Sequence, residues 1–393
     1  MGGVIAIGQA FKGSLGAAEV ARALAAGVKA AGAAAELIVG SDGGDGLLDA
    51  VAPARRATYR VSGPLGAPVE AAVGWLDAET AVIESRLACG VALLAFPRRN
   101  PERTTTRGVG ELLRAVAAAG AKRAIVGLGG SATMDGGLGA ARTWGWQARD
   151  RSGRPIPDVG GALQILEALE AAEPLPLEVL GLADVANRLL GPDGAAVYAR
   201  QKGARGTTTQ RLMAGLDRLV SCAAPWNGPA LAEHPGAGAA GGLGFGLLCF
   251  GGARLEPGAA WVLERAGFDA ALRSADLVIV AEATFDATSF AGKLTGEVLA
   301  RARAQDVPAA VVTPRAKTHP EGVTVVTEPG RWTPGDLAAV AERAVRQALR
   351  LRSGKLAGAP GDGKRSGSVG SRTRKRIRGS RALKCALGRG TRP

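Results

Sequence analysis

A glycine-rich stretch near the middle of the sequence carries the residue types needed to bind phosphate. Residues 127–137 contain five glycines, two hydroxyl side chains and one aspartate, Asp135. Glycines leave backbone N–H groups accessible to an anion, and hydroxyls add further donors. A carboxylate beside them can hold a metal ion that bridges phosphate oxygens, so Asp135 is a candidate metal ligand. The predicted phosphate-binding residues of this stretch are Gly129, Gly130, Ser131 and Thr133.

The flanking sequence places this stretch between a strand and a helix. A short β-like run at 123–126 precedes it, and apolar residues at helical spacing follow from Leu138 to Trp144. At such a junction the positive end of the helix dipole faces a bound anion. Two alternatives stay open: a tight turn that binds no ligand, and a dinucleotide-binding loop, because residues 127–132 also fit a loose G-x-G-x-x-A pattern. In a chain with 59 glycines such a match arises easily by chance.

Other polar residues directly follow predicted strands. In α/β proteins the carboxyl ends of parallel strands carry the ligand site, so residues at these positions are candidates for binding and catalysis. Asp42 and Asp45 come after a strand at 36–39, although both could simply cap turns. The other strand-end candidates are Lys12 and Ser14 after residues 4–8, Glu84 after residues 81–83, Asp184 after residues 178–183, and Glu282, Asp286 and Lys293 after residues 275–281.

The spacing of apolar residues predicts an α/β fold with two kinds of sheet. Strands alternate with helices near both ends of the chain, whereas residues 69–83 alternate around a turn and predict a hairpin. We interpret this change of period as entry into a second domain. The predicted helices begin at N-caps Ser14, Thr106 and Thr333, and two further helices are predicted over 161–172 and 208–221.

Composition disfavours several classes of protein. Most of the net charge of +14 lies in residues 352–393, which hold 13 Lys or Arg and one Asp, so the rest of the chain has no electrostatic signature of specific nucleic-acid binding. This basic tail is predicted to be disordered. No stretch approaches the ~18–20 apolar residues of a membrane span. Four widely spaced cysteines favour a reduced cytoplasmic protein, and two histidines disfavour a multi-histidine metal site.

Eight motifs, in register along the chain, resemble the type I glycerate kinase family. They extend over about residues 4–313, and together they are far more specific than any single match. The motifs are Phe11-Lys12-Gly13-Ser14-Leu15, Asp42-Gly43-Gly44-Asp45-Gly46, Gly63-Pro64-Leu65-Gly66, Arg99-Asn100-Pro101 through Gly110-Glu111-Leu112, Gly129-Gly130-Ser131-Ala132-Thr133, Gln201-Lys202-Gly203-Ala204, Pro235-Gly236-Ala237-Gly238-Ala239-Ala240-Gly241-Gly242 and Ala275-Asp276-Leu277-Val278-Ile279.

The resemblance implies an enzyme that uses ATP and Mg²⁺ to phosphorylate D-glycerate, with 2-phosphoglycerate as the expected product. It also implies a flavodoxin-like doubly wound domain, residues 1–60 and 272–351, into which a mixed-sheet α/β domain, residues 61–271, is inserted. The site is then expected in the cleft between these domains. The chain lacks the G-x-x-x-x-G-K-[ST] string of P-loop enzymes. The oligomeric state stays open.

On this hypothesis the candidate residues take three roles. Phosphoryl transfer needs cations and amides around the phosphates, a carboxylate-held Mg²⁺ and a group that orients the attacking hydroxyl. The candidates for catalysis are Lys12, Asp184, Asp286 and Lys293. The candidates for substrate or phosphate binding, beyond the glycine-rich stretch, are Ser14, Asp42, Glu84, Arg99 and Lys202. The candidates for metal binding are Asp135 and Asp184.

The sequence departs from the family pattern at several of these motifs. Gln9 and Ala10 stand where the family has Asp and Ser, and Thr284 stands where it has Arg. These changes motivate an alternative, a paralogue that binds a nucleotide or small acid without turnover; a nicotinamide dehydrogenase is a third hypothesis. If residue 9 lies in the cleft beside Asp42, Gln9→Asp together with Ala10→Ser should raise kcat/KM for glycerate by at least roughly tenfold, with Gln9→Asp alone giving most of the increase.

Overall fold

Two β-sheets with covering helices position the candidate residues. The computed structural model describes residues 3–11 and 13–357, with side chains up to residue 350, so that Lys12 and the tail from residue 358 onward lie outside the described residues. The strands are β1 (Gly3–Gly8), β2 (Ala34–Val39), β3 (Arg55–Ser62), β4 (Pro68–Trp75), β5 (Thr80–Glu84), β6 (Arg123–Leu128), β7 (Gln147–Arg149), β8 (Ala168–Glu170), β9 (Glu178–Ala183), β10 (Arg254–Pro257), β11 (Ala275–Ala281), β12 (Ala309–Thr313) and β13 (Val323–Thr327). The α-helices are α1 (Ala17–Ala30), α2 (Leu47–Ala50), α3 (Arg86–Cys89), α4 (Arg107–Ala118), α5 (Leu138–Thr143), α6 (Thr207–Cys222), α7 (Gly228–Ala232), α8 (Ala239–Gly251), α9 (Gly258–Arg265), α10 (Phe268–Leu272), α11 (Leu294–Ala304) and α12 (Pro334–Ala357).

Five parallel strands form the first sheet, in the order β2-β1-β11-β12-β13. This is the flavodoxin-like order, in which the chain winds outward in both directions from the centre. Apolar residues of α1 and α12 cover one face of the sheet, and those of α9, α10 and α11 cover the other. Because both faces are covered, the central strands are apolar along almost their whole length. The predicted doubly wound architecture is confirmed.

Six strands form the second sheet, in the order β10-β9-β6-β5-β4-β3. The pairs β3–β4 and β4–β5 are antiparallel, whereas β5, β6, β9 and β10 run parallel. The predicted hairpin is present as β4–β5, with Val73 opposite Ile83. The fully buried Trp75 lies in the core that the sheet forms with α4 and α8. This second sheet is mixed, as predicted.

Sheet membership bears on the domain division, which stays a prediction. Residues 55–60 pair with β4 and so belong to the second sheet, although they precede the predicted boundary. Conversely, α9 and α10 pack against the first sheet through Ala259, Leu263 and Phe268, although they precede residue 272. Domain boundaries near residues 54 and 257 therefore agree better with the two sheets than the predicted boundaries at residues 60 and 271 do.

Several predicted helices agree with the structure. Thr106 occupies the N-cap position of α4, and α6 matches the helix predicted over 208–221 to within one residue at each end. Thr333 caps α12 through reciprocal hydrogen bonds with Asp336. The N-cap of α1 is Gly16 rather than Ser14, because the Glu19 carboxylate accepts the Gly16 N–H at 2.9 Å. Within the described part of the chain, no helix is both long and apolar enough to cross a membrane.

The helix predicted over 161–172 is wrong. Residues 160–165 form a 3-10 helix, and β8 follows it. Consecutive glycines at the start weaken an α-helix, and the Glu167 N–H donates to Arg149 O, which begins the pairing of β7 with β8. Leu163 is fully buried against Gly215 of α6. Tertiary packing therefore overrides the apparent helical period.

The two sheets meet at the segment that follows β2. Leu47 and Leu48 of α2 pack against apolar residues of β5, β6 and β9 in the second sheet. The backbones approach closely here, because a Cβ on Gly127 would lie only 2.3 Å from the carbonyl oxygen of Gly43. Residues 40–46 therefore lead from the carboxyl edge of the first sheet to the carboxyl ends of β6 and β9.

Candidate active site

The glycine-rich stretch begins at the carboxyl end of β6. A Cβ on Gly129 would lie 2.8 Å from the Gly44 Cα and 3.1 Å from Oδ2 of Asp184. A glycine is therefore required at this close approach. The loop at 129–135 thus contacts both the segment after β2 and the carboxylate that follows β9. We call residues 129–135 the glycine loop.

Lys202 extends its ammonium group into the glycine loop. The residue is only 5% exposed, and its Nζ donates to Ser131 Oγ at 2.9 Å and to Thr133 O at 2.8 Å. Burial lowers the pKa of Lys202 to about 8, although nearby acidic groups act in the opposite direction. Lys202 is therefore largely charged at neutral pH and is fixed in place by the loop itself. The structure brings together three predicted phosphate-binding residues: Ser131, Thr133 and Lys202.

A left-handed turn at the start of α8 packs against the same group. Ala240, Gly241 and Gly242 have φ values of 52°, 72° and 89°. A Cβ on Gly241 would lie 1.8 Å from Thr133 O and 2.8 Å from Lys202 Nζ. The Gly- and Ala-rich sequence here is therefore required by the close contact with the glycine loop.

Asp135 is fully buried and serves as a cross-link. Its Oδ2 accepts the Thr106 N–H and the Thr106 hydroxyl, both at 2.8 Å, and the Gly139 N–H at 3.2 Å. Its Oδ1 accepts the Gly137 N–H at 3.3 Å. Burial raises the pKa of Asp135 to about 6, against the effect of these donors. Because four internal donors occupy the carboxylate, the geometry favours other carboxylates as metal ligands.

Asp42 and Asp184 both approach Gly44, and Asp42 Oδ1 accepts the Gly44 N–H at 3.2 Å. A Cβ on Gly44 would lie 3.3 Å from Asp42 Oδ1 and 3.8 Å from Asp184 Oδ2. Burial, together with the nearby Asp184, raises the pKa of the Tyr198 hydroxyl. The two carboxylates therefore converge on Gly44, next to the Cα of Gly129, and we call Asp42, Gly44 and Asp184 the carboxylate cradle.

Sequence reasoning missed Arg86, which joins the two sheets by ion pairs. Its Nε lies 3.0 Å from Asp45 Oδ1, and its Nη2 lies 2.7 Å from Glu84 Oε2. Glu84 is 3% exposed, and its other oxygen accepts the Leu48 N–H at 2.8 Å. The predicted substrate ligand Glu84 is thus engaged in holding α2 and the segment after β2 against β5. The signal in the sequence was an arginine two residues after a strand-end carboxylate.

A second polar group lies at the carboxyl edge of the first sheet. Glu282 follows β11 and is 9% exposed. Gln9 follows β1, and its Nε2 donates to Thr295 Oγ1 at 2.9 Å and to Ala281 O at 3.3 Å. Burial raises the pKa of Glu282, while the hydroxyls of Ser289 and Thr295 lower it. We call Gln9, Glu282, Ser289 and Thr295 the Glu282 cluster.

Asp286 and Lys293 border the Glu282 cluster rather than the glycine loop. Asp286 Oδ1 accepts the Thr288 N–H at 2.9 Å and the Thr288 hydroxyl at 2.7 Å, which caps a short 3-10 helix. These two bonds lower the pKa of Asp286. Lys293 Nζ donates to the same hydroxyl at 2.9 Å, and both charges act on Glu282. Asp286 therefore stabilises the start of this 3-10 helix through two hydrogen bonds, whereas Lys293 makes one bond to the same threonine.

Ser14 and Arg99, two further predicted site residues, form no hydrogen bond with Lys202 or Glu282 in the described part of the chain. Ser14 is exposed, and its hydroxyl donates to Phe11 O at 3.2 Å. Arg99 lies beside the turn that carries Lys202, because a Cβ on Gly203 would be 2.2 Å from Arg99 O. Lys12 lies outside the described residues.

The segment after β2 links the two polar groups. At one end, a Cβ on Gly40 would lie 2.5 Å from Leu294, the neighbour of Thr295, and at the other end Gly44 packs against Gly129. Four residues span at most ~14 Å, so the groups are separated by a short distance along one edge. Within the described ranges, no three or more His, Cys, Asp or Glu side chains form a cluster that could hold a metal ion.

Comparison with known proteins identifies the family. A sequence model described as "Glycerate kinase family" matches residues 4–329. The chain belongs to the glycerate kinase family. The resemblance drawn from the eight motifs is confirmed.

Two relatives and one solved structure agree with this assignment. A glycerate kinase of Bacillus subtilis (strain 168) is 40% identical over 318 residues, which cover 78% of this chain and 83% of that protein. The glycerate 2-kinase of Escherichia coli (strain K12) is 35% identical over 299 residues, covering 72% of this chain and 77% of that protein. A crystal structure from Salmonella typhimurium LT2, described as a glycerate kinase 2, superposes with a TM-score of 0.73 at 31% identity and covers 90% of this chain and 99% of that chain.

Proposed function

We propose that this glycerate kinase family member transfers the γ-phosphoryl group of ATP to the 2-hydroxyl of D-glycerate. The observation that carries the proposal is the glycine loop with the buried ammonium of Lys202, at the carboxyl ends of parallel strands. The names of the relatives, glycerate kinase and glycerate 2-kinase, support glycerate as the acceptor and 2-phosphoglycerate as the product.

The glycine loop suits phosphoryl transfer because that reaction depends mainly on positioning and on charge stabilisation. Its backbone N–H groups and Lys202 supply positive potential where phosphate oxygens would lie. Ser131 and Thr133 hold the ammonium group before any substrate arrives, so little reorganisation is needed during the reaction.

The carboxylate cradle fits Mg²⁺. This ion is typically bound by one or two carboxylates together with substrate phosphates and water, and the carboxylates of Asp42 and Asp184 converge at Gly44, where a Cβ would contact both. Bound there, Mg²⁺ would offset the charge of the phosphates. We therefore propose Asp42 and Asp184 as its ligands, with Asp135 in a structural role.

A coupled ADP-release assay with D-glycerate and Mg-ATP tests the proposal, and NMR of the product identifies the phosphorylated hydroxyl. We expect turnover to 2-phosphoglycerate, and we expect Lys202→Met to lower kcat/KM by roughly 10²–10³-fold. The matched control is Lys122→Met, because Lys122 is exposed and pairs with Glu79 at the surface. That variant should retain wild-type activity.

The absence of turnover at millimolar glycerate would refute the proposal. Calorimetric binding of glycerate or nucleotide without turnover would instead support a non-catalytic paralogue, for which Gln9 and Thr284 are the motivating departures. Quenching of tryptophan fluorescence by NADH would favour the dehydrogenase alternative.

A further inference from the structure

Glu282 is a buried acid that neither the glycine loop nor the carboxylate cradle uses. It is 9% exposed, and its Oε2 is buried without a hydrogen-bond partner among the described residues. A buried carboxylate with an unused acceptor atom costs folding free energy, and a catalytic role is one of the reasons for which proteins retain such a group. The position therefore calls for a ligand that donates a hydrogen bond.

The surroundings of Glu282 direct two hydroxyl hydrogens toward it. Thr295 Oγ1 already accepts the Gln9 amide at 2.9 Å, and Ser289 Oγ already accepts the Asp286 N–H at 3.2 Å. Because each hydroxyl uses a lone pair for these bonds, its single hydrogen is available to Glu282. Both hydroxyl residues are fully buried, so the carboxylate is held in one orientation. Such support is what a positioned proton acceptor needs.

The location of Glu282 suits the acceptor side of the reaction. It follows β11, and the next strand end in the sheet carries Gln9. The segment from Gly40 to Gly44 then leads to the glycine loop, so Glu282 and the phosphate-binding residues lie at opposite ends of a short stretch. A small hydroxy acid bound between them would present its hydroxyl to Glu282 and to a phosphate held by the glycine loop.

We propose that Glu282 is the catalytic residue that accepts the proton of the glycerate hydroxyl during transfer. The inference rests on the proposed function and adds to it the identity of the general base. The hydroxyl oxygen forms a bond to the γ-phosphorus, while the bond from that phosphorus to the β–γ bridging oxygen breaks and its electron pair leaves on ADP. The proton passes to Glu282 and then to solvent.

Two other acidic residues, Asp286 and Asp135, are less suitable than Glu282 as the general base. Asp286 is engaged by the N–H and hydroxyl of Thr288 and lies toward the surface. Asp135 is enclosed by four internal donors. Neither has a buried acceptor atom left over, whereas Glu282 has one.

The pH dependence follows from the charges that face Glu282. Lys293 lowers its pKa and Asp286 raises it, while burial, the largest influence, raises it above the ordinary value for Glu. Lys12 lies outside the described residues. As a general base Glu282 must be ionised, so kcat should fall as pH decreases through this raised pKa. The acid limb of the wild-type profile should disappear from the residual activity of Glu282→Gln.

The decisive variant is Glu282→Gln, compared with Glu282→Asp and with Glu328→Gln as the matched control. Glu328 likewise follows a strand of the first sheet, but its side chain is 47% exposed and pairs with Arg343. We expect Glu282→Gln to lower kcat by roughly 10²–10⁴-fold with little change in KM, Glu282→Asp to retain the acid limb, and Glu328→Gln to match wild type.

Thermal stability separates a catalytic role from a structural one. Because burial disfavours the charged form of Glu282, the neutral Glu282→Gln should have a Tm equal to or above that of wild type, despite the loss of activity. A lowered Tm together with a proportional loss of soluble enzyme, or a kcat within threefold of wild type, would overturn the inference about Glu282 alone. A wild-type protein that does not phosphorylate glycerate would overturn the proposed function and this inference with it.

Discussion

The buried ammonium of Lys202 sets how activity should respond to alkaline pH. Its pKa is lowered to about 8 by burial, so the positive charge in the glycine loop is lost as pH rises through that value. We therefore expect kcat/KM for ATP to fall above about pH 8 in a profile measured from pH 6.5 to 9.5. The residual activity of Lys202→Met should lack this basic limb, since the variant has no charge to lose. A basic limb that persists in the variant would assign it to another group.

Unfolding of the protein does not explain the expected fall in activity above about pH 8. The folded pKa of Lys202 lies below the ordinary value of 10.5, so between about pH 8 and 10.5 the unfolded state binds more protons than the folded state. Where the unfolded state binds more protons, stability rises with pH. The contribution of Lys202 to stability therefore increases over the window in which activity falls. Urea denaturation at pH 7.5 and pH 9 checks this sign.

The contacts of Gln9 reverse the expectation drawn from the sequence. Its amide donates to Ala281 O and to Thr295 Oγ1, both of which face it with lone pairs. A carboxylate cannot donate, and it would add a negative charge beside Glu282. We now expect Gln9→Asp to lower kcat/KM for glycerate by roughly tenfold or more rather than raise it. Gln164→Asp is the control, because Gln164 is exposed and its amide donates to Gly161 O at the surface. An increase in kcat/KM would show that residue 9 faces the substrate.

At the level of secondary structure elements, the left-handed turn at the start of α8 should be indispensable. A Cβ on Gly241 would lie 1.8 Å from Thr133 O, in addition to the strain of φ +72°. Gly252 has a similar φ of +62° but no atom within 4 Å of such a Cβ. Gly252→Ala should therefore cost only the strain, about 1–2 kcal/mol, with activity retained. Gly241→Ala should cost more and should abolish turnover, because the glycine loop must move. Equal effects of the two variants on kcat would contradict this account.

The ion pairs of Arg86 hold the segment after β2 against β5. Removing the arginine leaves Glu84, which is 3% exposed, without its charged partner. Because Arg86 is itself 32% exposed, we expect Arg86→Met to cost about 1–3 kcal/mol of unfolding free energy rather than the full penalty of a buried pair. Adding Glu84→Gln should recover part of it, with a coupling energy of about 1 kcal/mol in a double-mutant cycle. Arg56→Met, which breaks an exposed pair with Asp49, should cost less than about 1 kcal/mol.

Sequence patterns located the central strands of both sheets and the edge strand β2, but they missed the edge strands β3, β10 and β13. β9 and β11 were predicted with their observed bounds, because buried strands have continuous apolar runs. β3 and β13 were missed because edge strands expose many side chains, and β10 because it has only four residues. Their pairing is fixed by the neighbouring strands rather than by their own sequence.

The site was predicted in its parts but not in its connections. Strand-end position drew attention to Asp42 and Asp184, and a family motif drew attention to Lys202, since both signals depend only on local sequence. Their roles in catalysis stay predictions. Neither signal could show that Arg86 joins Asp45 to Glu84, nor that Gln9 contacts Ala281, 272 positions away. Such contacts depend on how two sheets meet, which no short motif encodes.

At the scale of the whole molecule, the two sheets present their carboxyl edges to one region. The first sheet supplies the Glu282 cluster, the second supplies the glycine loop, and residues 40–46 connect them. On the roles proposed above, each sheet alone supplies only part of the chemistry: the proton acceptor Glu282 in the first sheet and the anion-binding groups in the second. On the proposed function, the interface held by Arg86 therefore affects catalysis as well as stability.

The basic tail should be separable from this machinery. The family match ends at residue 329, and residues 358–393 hold 11 Lys or Arg against one Asp. We expect deletion of 358–393 to leave kcat/KM and Tm unchanged, because every contact described above lies before residue 358. Affinity for a labelled polyanion such as poly(U), measured by fluorescence anisotropy, should fall, and its dependence on salt should weaken as cationic contacts are lost. A Gly-Ser tail of equal length is the control for chain length and should behave like the deletion. A Tm lowered by several degrees in both variants would show instead that the tail packs on the kinase body.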